Sequence, residues 1–408
     1  MSQARPVLST APRTVLLLIG ILLVAANLRA PITGLAPVLG MIQDAFALST
    51  AHAGLLTTLP LLAFALVSPL APWLARRFGL ARALFAALVL LAGGVVLRSA
   101  GPAWSLFVGT AVIGAGIAVG NVLLPALLKR DFPTRIASVT GAYALAMGAA
   151  AAVASATVFP LATGFGLGWS GALLAMLVLP LVAMLLWWPQ LGERAAVAEP
   201  GGGAPGAGPI WRHSLAWQVT LFMGLNSFIY YVMIGWLPAI LASRGYSAAE
   251  AGSLHGLMQL ASAIPGLVLG PLIQRLHDQR MVALATSLLV AGALLGLQWL
   301  PQLAGLWVAC FGFGTGACII LALMFMGLRT ENPRQAAALS GMAQCVGYLL
   351  AAFGPPLVGG LRDRSQDWNP ALTVCLVLSL TMAAAGMLAG RNRRIRSAST
   401  AASTPAAG

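Results

Sequence analysis

The sequence predicts an all-α membrane protein, twelve transmembrane helices in two pseudo-symmetric six-helix bundles, and three observations carry that prediction. Of its 408 residues 59% are hydrophobic and only 8% are charged, where a soluble domain has roughly a quarter charged. Apolar stretches of about 20 residues, each long enough to cross roughly 30 Å of hydrocarbon as a helix, recur along the chain. The cationic residues gather in alternate gaps between those stretches.

Taken in order, breaks at Gly, Pro and charge clusters give spans at 14–39, 52–74, 83–100, 103–128, 136–161, 168–189, 215–242, 250–274, 281–300, 303–328, 336–360 and 371–390. The first could be mistaken for a signal peptide cleaved after Val24-Ala25-Ala26. Its apolar pattern continues through Ile32 and Leu39, and it has a counterpart later in the chain, so it reads as a span. The longest polar interruption holds Glu193, Arg194 and Glu199 followed by Pro200-Gly201-Gly202-Gly203-Ala204-Pro205-Gly206, a flexible-linker composition. The organisation expected is a tail at 1–13, a first bundle at 14–189, a linker at 190–213, a second bundle at 214–390, and a basic, small-residue tail at 391–408.

Charge placement tests this count, because cytoplasmic loops carry the excess of Lys and Arg. With the N-terminus inside, eighteen cationic residues fall on the inner side and only Arg98, Arg244, Arg362 and Arg364 on the outer side. One span more or fewer would scramble that asymmetry. The expected setting is a bacterial cytoplasmic (inner) membrane with both termini cytoplasmic. Nucleic acid is not expected despite the net charge of +14, since no recognition stretch accompanies the basic clusters. Cys310, Cys318, Cys345 and Cys375 lie in apolar runs, match neither a zinc nor a disulfide pattern, and read as small core residues. The Gly-rich stretches Gly109–Gly120 and Gly312–Gly316 follow no strand and lack a phosphate-binding Lys, so they read as sites of close helix packing.

The halves repeat. Gly34-Leu35-Ala36-Pro37 matches Gly235-Trp236-Leu237-Pro238, and Ser49-Thr50-Ala51-His52-Ala53-Gly54 matches Ser247-Ala248-Ala249-Glu250-Ala251-Gly252. At an offset of 200, Gly114, Gly116, Lys129, Pro133 and Gly141 fall on Gly314, Gly316, Arg329, Pro333 and Gly341. Six spans repeated in the same orientation form a parallel repeat, which in transporters places the substrate site near the midplane between the halves.

The basic turn Arg76-Arg77-Phe78-Gly79-Leu80-Ala81-Arg82 after the second span, with the span count and central linker, resembles the major facilitator superfamily. Asn27-Leu28-Arg29-Ala30-Pro31-Ile32-Thr33-Gly34, Gly54-Leu55-Leu56-Thr57-Thr58-Leu59-Pro60, and Gly120-Asn121-Val122-Leu123-Leu124-Pro125 with Lys129-Arg130-Asp131-Phe132-Pro133 are similar to its cyanate permease and 2-nitroimidazole transporter branch. The resemblance implies the major facilitator fold, small-solute transport by alternating access, and a gating loop formed by Arg76, Arg77, Gly79 and Arg82. It departs at one place: the family's loop usually carries an aspartate and a leading glycine where this chain has Arg76 and Pro72. A gating contact built on that aspartate is not carried over.

Arg29 is the strongest single signal. A guanidinium near the middle of a span costs about 2.5–3.5 kcal/mol on insertion scales, so it should face a cavity or a partner. The nine carboxylates all fall in loops or at span ends, which leaves Arg29 to receive an anion or an electron-rich solute. The competing role is structural: Pro31 frees the carbonyl of Asn27, and Arg29 could hold that break through backbone carbonyls. In the second half Asn226 and Tyr230 share a helix face, and Tyr230 takes the place of Arg29. Tyr231 points about 100° away. Asn27, Asn121, Tyr143, Gln259, Gln344 and Tyr348 complete the polar set expected at the substrate site. For each, an interhelical hydrogen bond of about 0.6 kcal/mol is the bland alternative; family analogy, with helices 1, 4, 7 and 10 lining the cavity, favours Asn121, Asn226 and Tyr230. His255, about one turn inside the outer end of span 8, is either a proton relay or a hydrogen-bonded structural residue.

The expectation is therefore a monomeric secondary transporter of a small anionic or polar solute of the cyanate or nitro-heterocycle class. No cofactor, metal or catalytic residue is expected, and the partners are the solute and the lipid bilayer. A proton-linked multidrug or toxic-compound exporter is the alternative, suggested by apolar walls and by Met223, Met233, Met258, Met324 and Met326; export of hydrophobic cations sits badly with Arg29. A membrane-embedded enzyme would show intramembrane His, Asp or Glu clusters and a sensor would carry an output domain. Neither pattern is present.

Overall fold

The computed structural model describes residues 11–132, 136–192, 210–274, 276–331 and 333–395. Twelve helices in it are long and apolar enough to cross a membrane: Thr14–Phe46, Thr50–Phe78, Leu80–Arg98, Ala103–Leu128, Val139–Thr163, Gly168–Gly192, Ser214–Ser243, Ala248–Leu269, Arg280–Trp299, Pro301–Leu328, Ala338–Ser365 and Asn369–Ala389. They are spans 1 to 12 below. The Gly- and Pro-rich part of the expected 190–213 linker lies outside the described residues. Because each half holds six spans, Thr14, Gly192, Ser214 and Ala389 end on one face, the terminal face, and Phe46, Thr163, Ser243 and Ser365 on the opposite, distal face.

Spans 1 and 11 run longer than the sequence suggested, for the same reason. Prolines inside each expected span open new helical turns, where a missing N–H costs nothing, and the renewed helices run past the expected ends at 39 and 360. Span 1 breaks at Leu28–Arg29, resumes with Pro31 in the first turn of Ala30–Thr33, passes a 3-10 turn at Ala36–Val38 and finishes as Leu39–Phe46. Span 11 breaks at Phe353 and resumes as Gly354–Ser365 behind Pro355 and Pro356. The extension brings Arg362 and Asp363 into the last turns of a span rather than a loop.

The pairings repeat between halves. Span 1 packs on 5 and 6 as span 7 packs on 11 and 12; span 4 packs on 2 and 3 as span 10 packs on 8 and 9. Between the halves, span 2 meets span 11 and span 5 meets span 8. The structure corrects the repeat offset in the fourth span of each half. Gly114 packs on Pro60 of span 2 and Gly116 on Ala87 and Leu91 of span 3; Gly312 packs on Met258 of span 8 and Gly314 on Val290 and Thr286 of span 9. The equivalent pairs are thus Gly114 with Gly312 and Gly116 with Gly314, two residues short of the expected register. This is the spacing that relates Gly54 to Gly252. Gly316 instead lies against the Ser262 carbonyl. Runs rich in Gly allow such slips because any of several glycines satisfies an alignment, and only packing selects the register.

Two cations counted as side-marking charges, one outer and one inner, are buried in the structure. Arg98 is 1% exposed and turns back into the first bundle, where Nη1 donates to the Pro31 carbonyl at 2.6 Å. Arg329, 3% exposed, donates to the Ala389 carbonyl at 2.8 Å, the Gly390 carbonyl at 3.0 Å and the Gln279 side chain, tying the ends of spans 10 and 12 to the start of span 9. The cysteines are free; Cys318 and Cys375 are buried and Cys310 half-buried, but Cys345 is exposed, contrary to its reading as a core residue.

Candidate functional site

The break in span 1 sets the site. Where the helix stops at Leu28–Arg29, the Arg29 guanidinium leaves its own bundle and crosses to the other half. Nη2 donates to the Tyr230 hydroxyl on span 7, and Nη1 donates to Ser262 Oγ on span 8 at 3.1 Å. The Tyr230 ring also lies beneath the guanidinium, with Cζ 5.1 Å from the ring centroid. Arg29 itself bonds no backbone carbonyl of a described residue; at the break the Pro31 carbonyl is held by Arg98, and the Thr33 hydroxyl bonds the Arg29 and Ala30 carbonyls. Among the described residues no carboxylate pairs with Arg29.

From Arg29 a directed hydrogen-bond chain runs on through the second half and returns to the first. The Tyr230 hydroxyl donates to Gln259 Oε1 at 2.8 Å, and Gln259 Nε2 donates to His255 Nε2 at 3.2 Å. That leaves His255 Nδ1–H to donate to Ser155 Oγ on span 5 at 2.8 Å, and the Ser155 hydroxyl donates to the Gly252 carbonyl at 3.0 Å. Each donor has one acceptor, and the pattern specifies a neutral histidine with its proton on Nδ1. Both ring nitrogens are occupied by partners in a fully buried position.

The other expected residues distribute unevenly. Tyr348 packs edge-on against Phe64 with centroids 5.6 Å apart, and Tyr231 packs edge-on against Tyr230 at 5.5 Å; both lie within electrostatic reach of Arg29. The hydroxyls of Tyr143, Tyr231 and Tyr348 make no hydrogen bond to any described residue, and none is sealed off. Asn226 is buried one turn from Tyr230 with its Oδ1 unpartnered. Asn121 is exposed on span 4, and Gln344 donates to Ser340 at 2.8 Å. Asn27 is not brought to the cluster: fully buried, it donates to the Leu23 carbonyl at 2.8 Å and to the Leu179 carbonyl of span 6 at 3.3 Å. Its position two residues before Arg29 turns it to the opposite side of the helix. At the terminal face Gly79 takes φ +87°, which only glycine adopts without strain, to turn span 2 into span 3, and Arg76, Arg77 and Arg82 are exposed around it.

On the distal side of Arg29 the halves are locked. Asp363 of span 11 accepts the backbone N–H groups of Thr50 and Ala51 at 3.2 and 3.0 Å, where they head span 2. A carboxylate there pairs with otherwise unsatisfied helix donors and with the positive end of the helix dipole. Glycines permit the contact. A Cβ on Gly54 would stand 2.8 Å from the Pro355 carbonyl oxygen, one on Gly359 2.7 Å from the Thr50 carbonyl oxygen, and one on Gly256 2.8 Å from the Ala152 carbonyl oxygen. Across the same seam Thr58 donates to the Ala352 carbonyl at 2.7 Å, and within the second half Trp236 Nε1 holds the Pro355 carbonyl at 2.9 Å. Sequence reading missed Ser155, Ser262 and Asp363. The recurring glycines opposite them were a usable signal, since they mark where backbones touch.

A polar cluster at mid-depth, shared by two halves that are locked together on its distal side, is the arrangement of a carrier that exposes one internal site to the two sides of a membrane in turn. The family model for the Major Facilitator Superfamily matches residues 17–355, and the chain belongs to that family. It is 55% identical over 382 residues to the 2-nitroimidazole transporter of Escherichia coli (strain K12), covering 94% of this chain and 97% of that one. It is 28% identical over 373 residues to the cyanate transport protein CynX of the same organism, covering 90% and 96%. Among solved structures, a bacterial homologue of the human lysosomal transporter Spinster, inward-facing and occupied, superposes with a TM-score of 0.74 at 16% identity, covering 94% of this chain and 98% of that one. A D-xylose-proton symporter gives 0.70 at 14% identity, covering 92% and 95%. The chain is a multi-pass membrane protein and a secondary transporter of small solutes, of the branch that holds the cyanate and 2-nitroimidazole transporters; it is not an enzyme.

Proposed function

We propose that the transported solute is a small, planar, anionic or electron-rich molecule of the nitro-heterocycle or cyanate class, and that Arg29 is its main charge contact. The observation that carries this reading is the Arg29 guanidinium, held across the half interface by two neutral hydroxyls instead of a carboxylate. A nitro group or an anion offers acceptors matched to the guanidinium fork, and Tyr231 and Tyr348, within electrostatic reach of Arg29, supply aromatic faces and unpartnered hydroxyls beside it. The similarity to the 2-nitroimidazole transporter supports the class. The solute would displace Tyr230 and Ser262 from Arg29, loosening the hydrogen-bond chain that joins the halves through Gln259, His255 and Ser155. That couples occupancy to the distal lock. In this reading His255 positions the two halves, and the loop of Arg76, Arg77, Gly79 and Arg82 works at the opposite face.

The terminal face is cytoplasmic, with the chain in a bacterial inner membrane and both termini inside, because the sequence segments that flank the spans on that side carry eighteen of the 23 cationic residues. One chain supplies both halves of the site, so the working unit is a monomer. The test is a proteoliposome uptake panel of cyanate, other small anions, 2-nitroimidazole and related nitro-heterocycles, with and without a pH gradient, run beside Arg29→Gln. Uptake of one class, lost in Arg29→Gln, is expected. A profile confined to hydrophobic cations, or uptake unchanged in the variant, would reverse the assignment.

A further inference from the structure

At the terminal face, far from the solute site, a polar recess of about 360 Å³ is lined by Asp278, Arg280, Arg391, Asn392 and Arg393. Its walls are fixed by backbone contacts. The Gln279 N–H bonds the Gly390 carbonyl at 3.0 Å, Arg329 bonds the Ala389 and Gly390 carbonyls, and the Ile395 N–H bonds the Arg329 carbonyl at 2.8 Å. The segment carrying Arg391 and Arg393 is thus clamped at both ends against the loop that opens span 9. A tight turn, the Arg393 N–H on the Arg391 carbonyl at 2.7 Å, directs the chain between them.

The charge in the recess is only partly compensated, three arginines against one acid. The guanidinium groups of Arg280, Arg391 and Arg393 have no hydrogen bond or ion pair with any described residue, and the Arg280 Nε is buried without a partner. The single acid, Asp278, spends one oxygen on the Arg280 backbone N–H at 3.3 Å. Next to the recess, burial lowers the Arg329 guanidinium from its ordinary value, Asp278 pulls it back and Arg394 lowers it further. Three arginines around one recess with a single acid leave it net positive, with the buried Arg280 Nε unmet, and the volume suits a small ligand rather than an ion alone. Basic pockets between helix ends at the membrane border take anionic phosphate headgroups.

We propose that this recess is a binding site for a phosphate-bearing anion, the phosphodiester headgroup of an anionic phospholipid or a free phosphate compound sharing that chemistry. The lipid source rests on the membrane orientation proposed above, whereas the recess itself does not.

Binding to the purified, delipidated full chain is measured with four probes: monomeric short-chain phosphatidylglycerol, short-chain phosphatidylcholine, glycerol phosphate and inorganic phosphate. The variants are Arg280→Gln/Arg391→Gln/Arg393→Gln, the charge-matched Arg76→Gln/Arg77→Gln/Arg82→Gln, and Asp278→Asn. Phosphatidylglycerol is expected to bind about tenfold more tightly than phosphatidylcholine. That preference should be lost in the first triple variant and kept in the second, with a two- to threefold gain in Asp278→Asn. Glycerol phosphate or inorganic phosphate binding with the same variant pattern would support the soluble source. Equal binding by wild type and the first triple variant, or an equal loss in both triple variants, overturns the proposal. If the first triple variant does not fold, Asp278→Asn decides: no gain overturns the site. Solute uptake plays no part in this readout, so failure of the transport assignment would leave it untouched.

Discussion

Asp363→Asn should open the distal face. The substitution keeps the side chain's shape but removes the charge and turns one of two acceptor oxygens into a donor that faces the Thr50 or Ala51 N–H. A hydrogen bond to a charged group contributes about 1.5–3 kcal/mol against about 0.5–1.5 for a neutral one. The favourable placement at a helix start adds about 0.3–1 kcal/mol. Because Asp363 is only half-buried, the lower end of these ranges applies, a loss of about 1–2 kcal/mol. Every 1.4 kcal/mol is tenfold, so the population with a separated distal face should rise roughly five- to thirtyfold. Spin labels at Ala100, in the loop after span 3, and Gln302, in the first turn of span 10, both exposed at the distal face, report the separation by pulsed dipolar spectroscopy in a cysteine-free background. Glu250→Gln is the control, since Glu250 closes a capping box with Ser247 within its own helix start and touches no other half. An Asp363→Asn distance distribution indistinguishable from that of the parent would refute the view that this carboxylate locks the halves.

Further outcomes follow from the same geometry. Gly256→Ala places a methyl 2.8 Å from the Ala152 carbonyl oxygen and should weaken the span 5 to span 8 contact by about 1–3 kcal/mol, read as a lower thermal midpoint and a broader label distribution. Ser155→Ala removes the acceptor of His255 Nδ1–H and leaves that donor buried, costing about 1–3 kcal/mol; uptake should slow while the solute affinity changes little. Arg98→Met removes the buried donor to the Pro31 carbonyl and should lower thermal stability and disturb the span 1 break, with solute affinity falling through displaced Arg29. Full affinity with an intact midpoint would show that Arg98 does not support the break.

Much of this fold was legible because membrane crossing leaves a coarse, redundant signature. Apolar runs and alternating basic gaps locate the spans even where Pro31, Pro37 and Pro355 break them internally. Arg29 stood out for the same reason, an isolated cation in an apolar run. The rest depends on register and direction, which composition does not record. Arg98 sits at the end of an apolar run like any loop arginine, and only the packed bundle shows it reaching back to Pro31. Ser155 and Ser262 are ordinary hydroxyl residues in helices until spans 5 and 8 bring them to His255 and Arg29. Asn27 and Arg29 are two residues apart, yet the side of the helix they face separates a packing contact on span 6 from the inter-half cluster.

The central claim is that a half-buried, carboxylate-free Arg29 receives the solute. Equilibrium binding of the solute selected by the uptake panel, measured on purified wild type, Arg29→Gln and Arg29→Lys with thermal midpoints recorded alongside, tests it most directly. Loss of a charge-assisted contact of about 1.5–3 kcal/mol predicts affinity roughly ten- to a hundredfold weaker in Arg29→Gln, with Arg29→Lys recovering only part because a point charge replaces a planar fork. A folded Arg29→Gln protein that binds the solute as tightly as wild type would contradict the account.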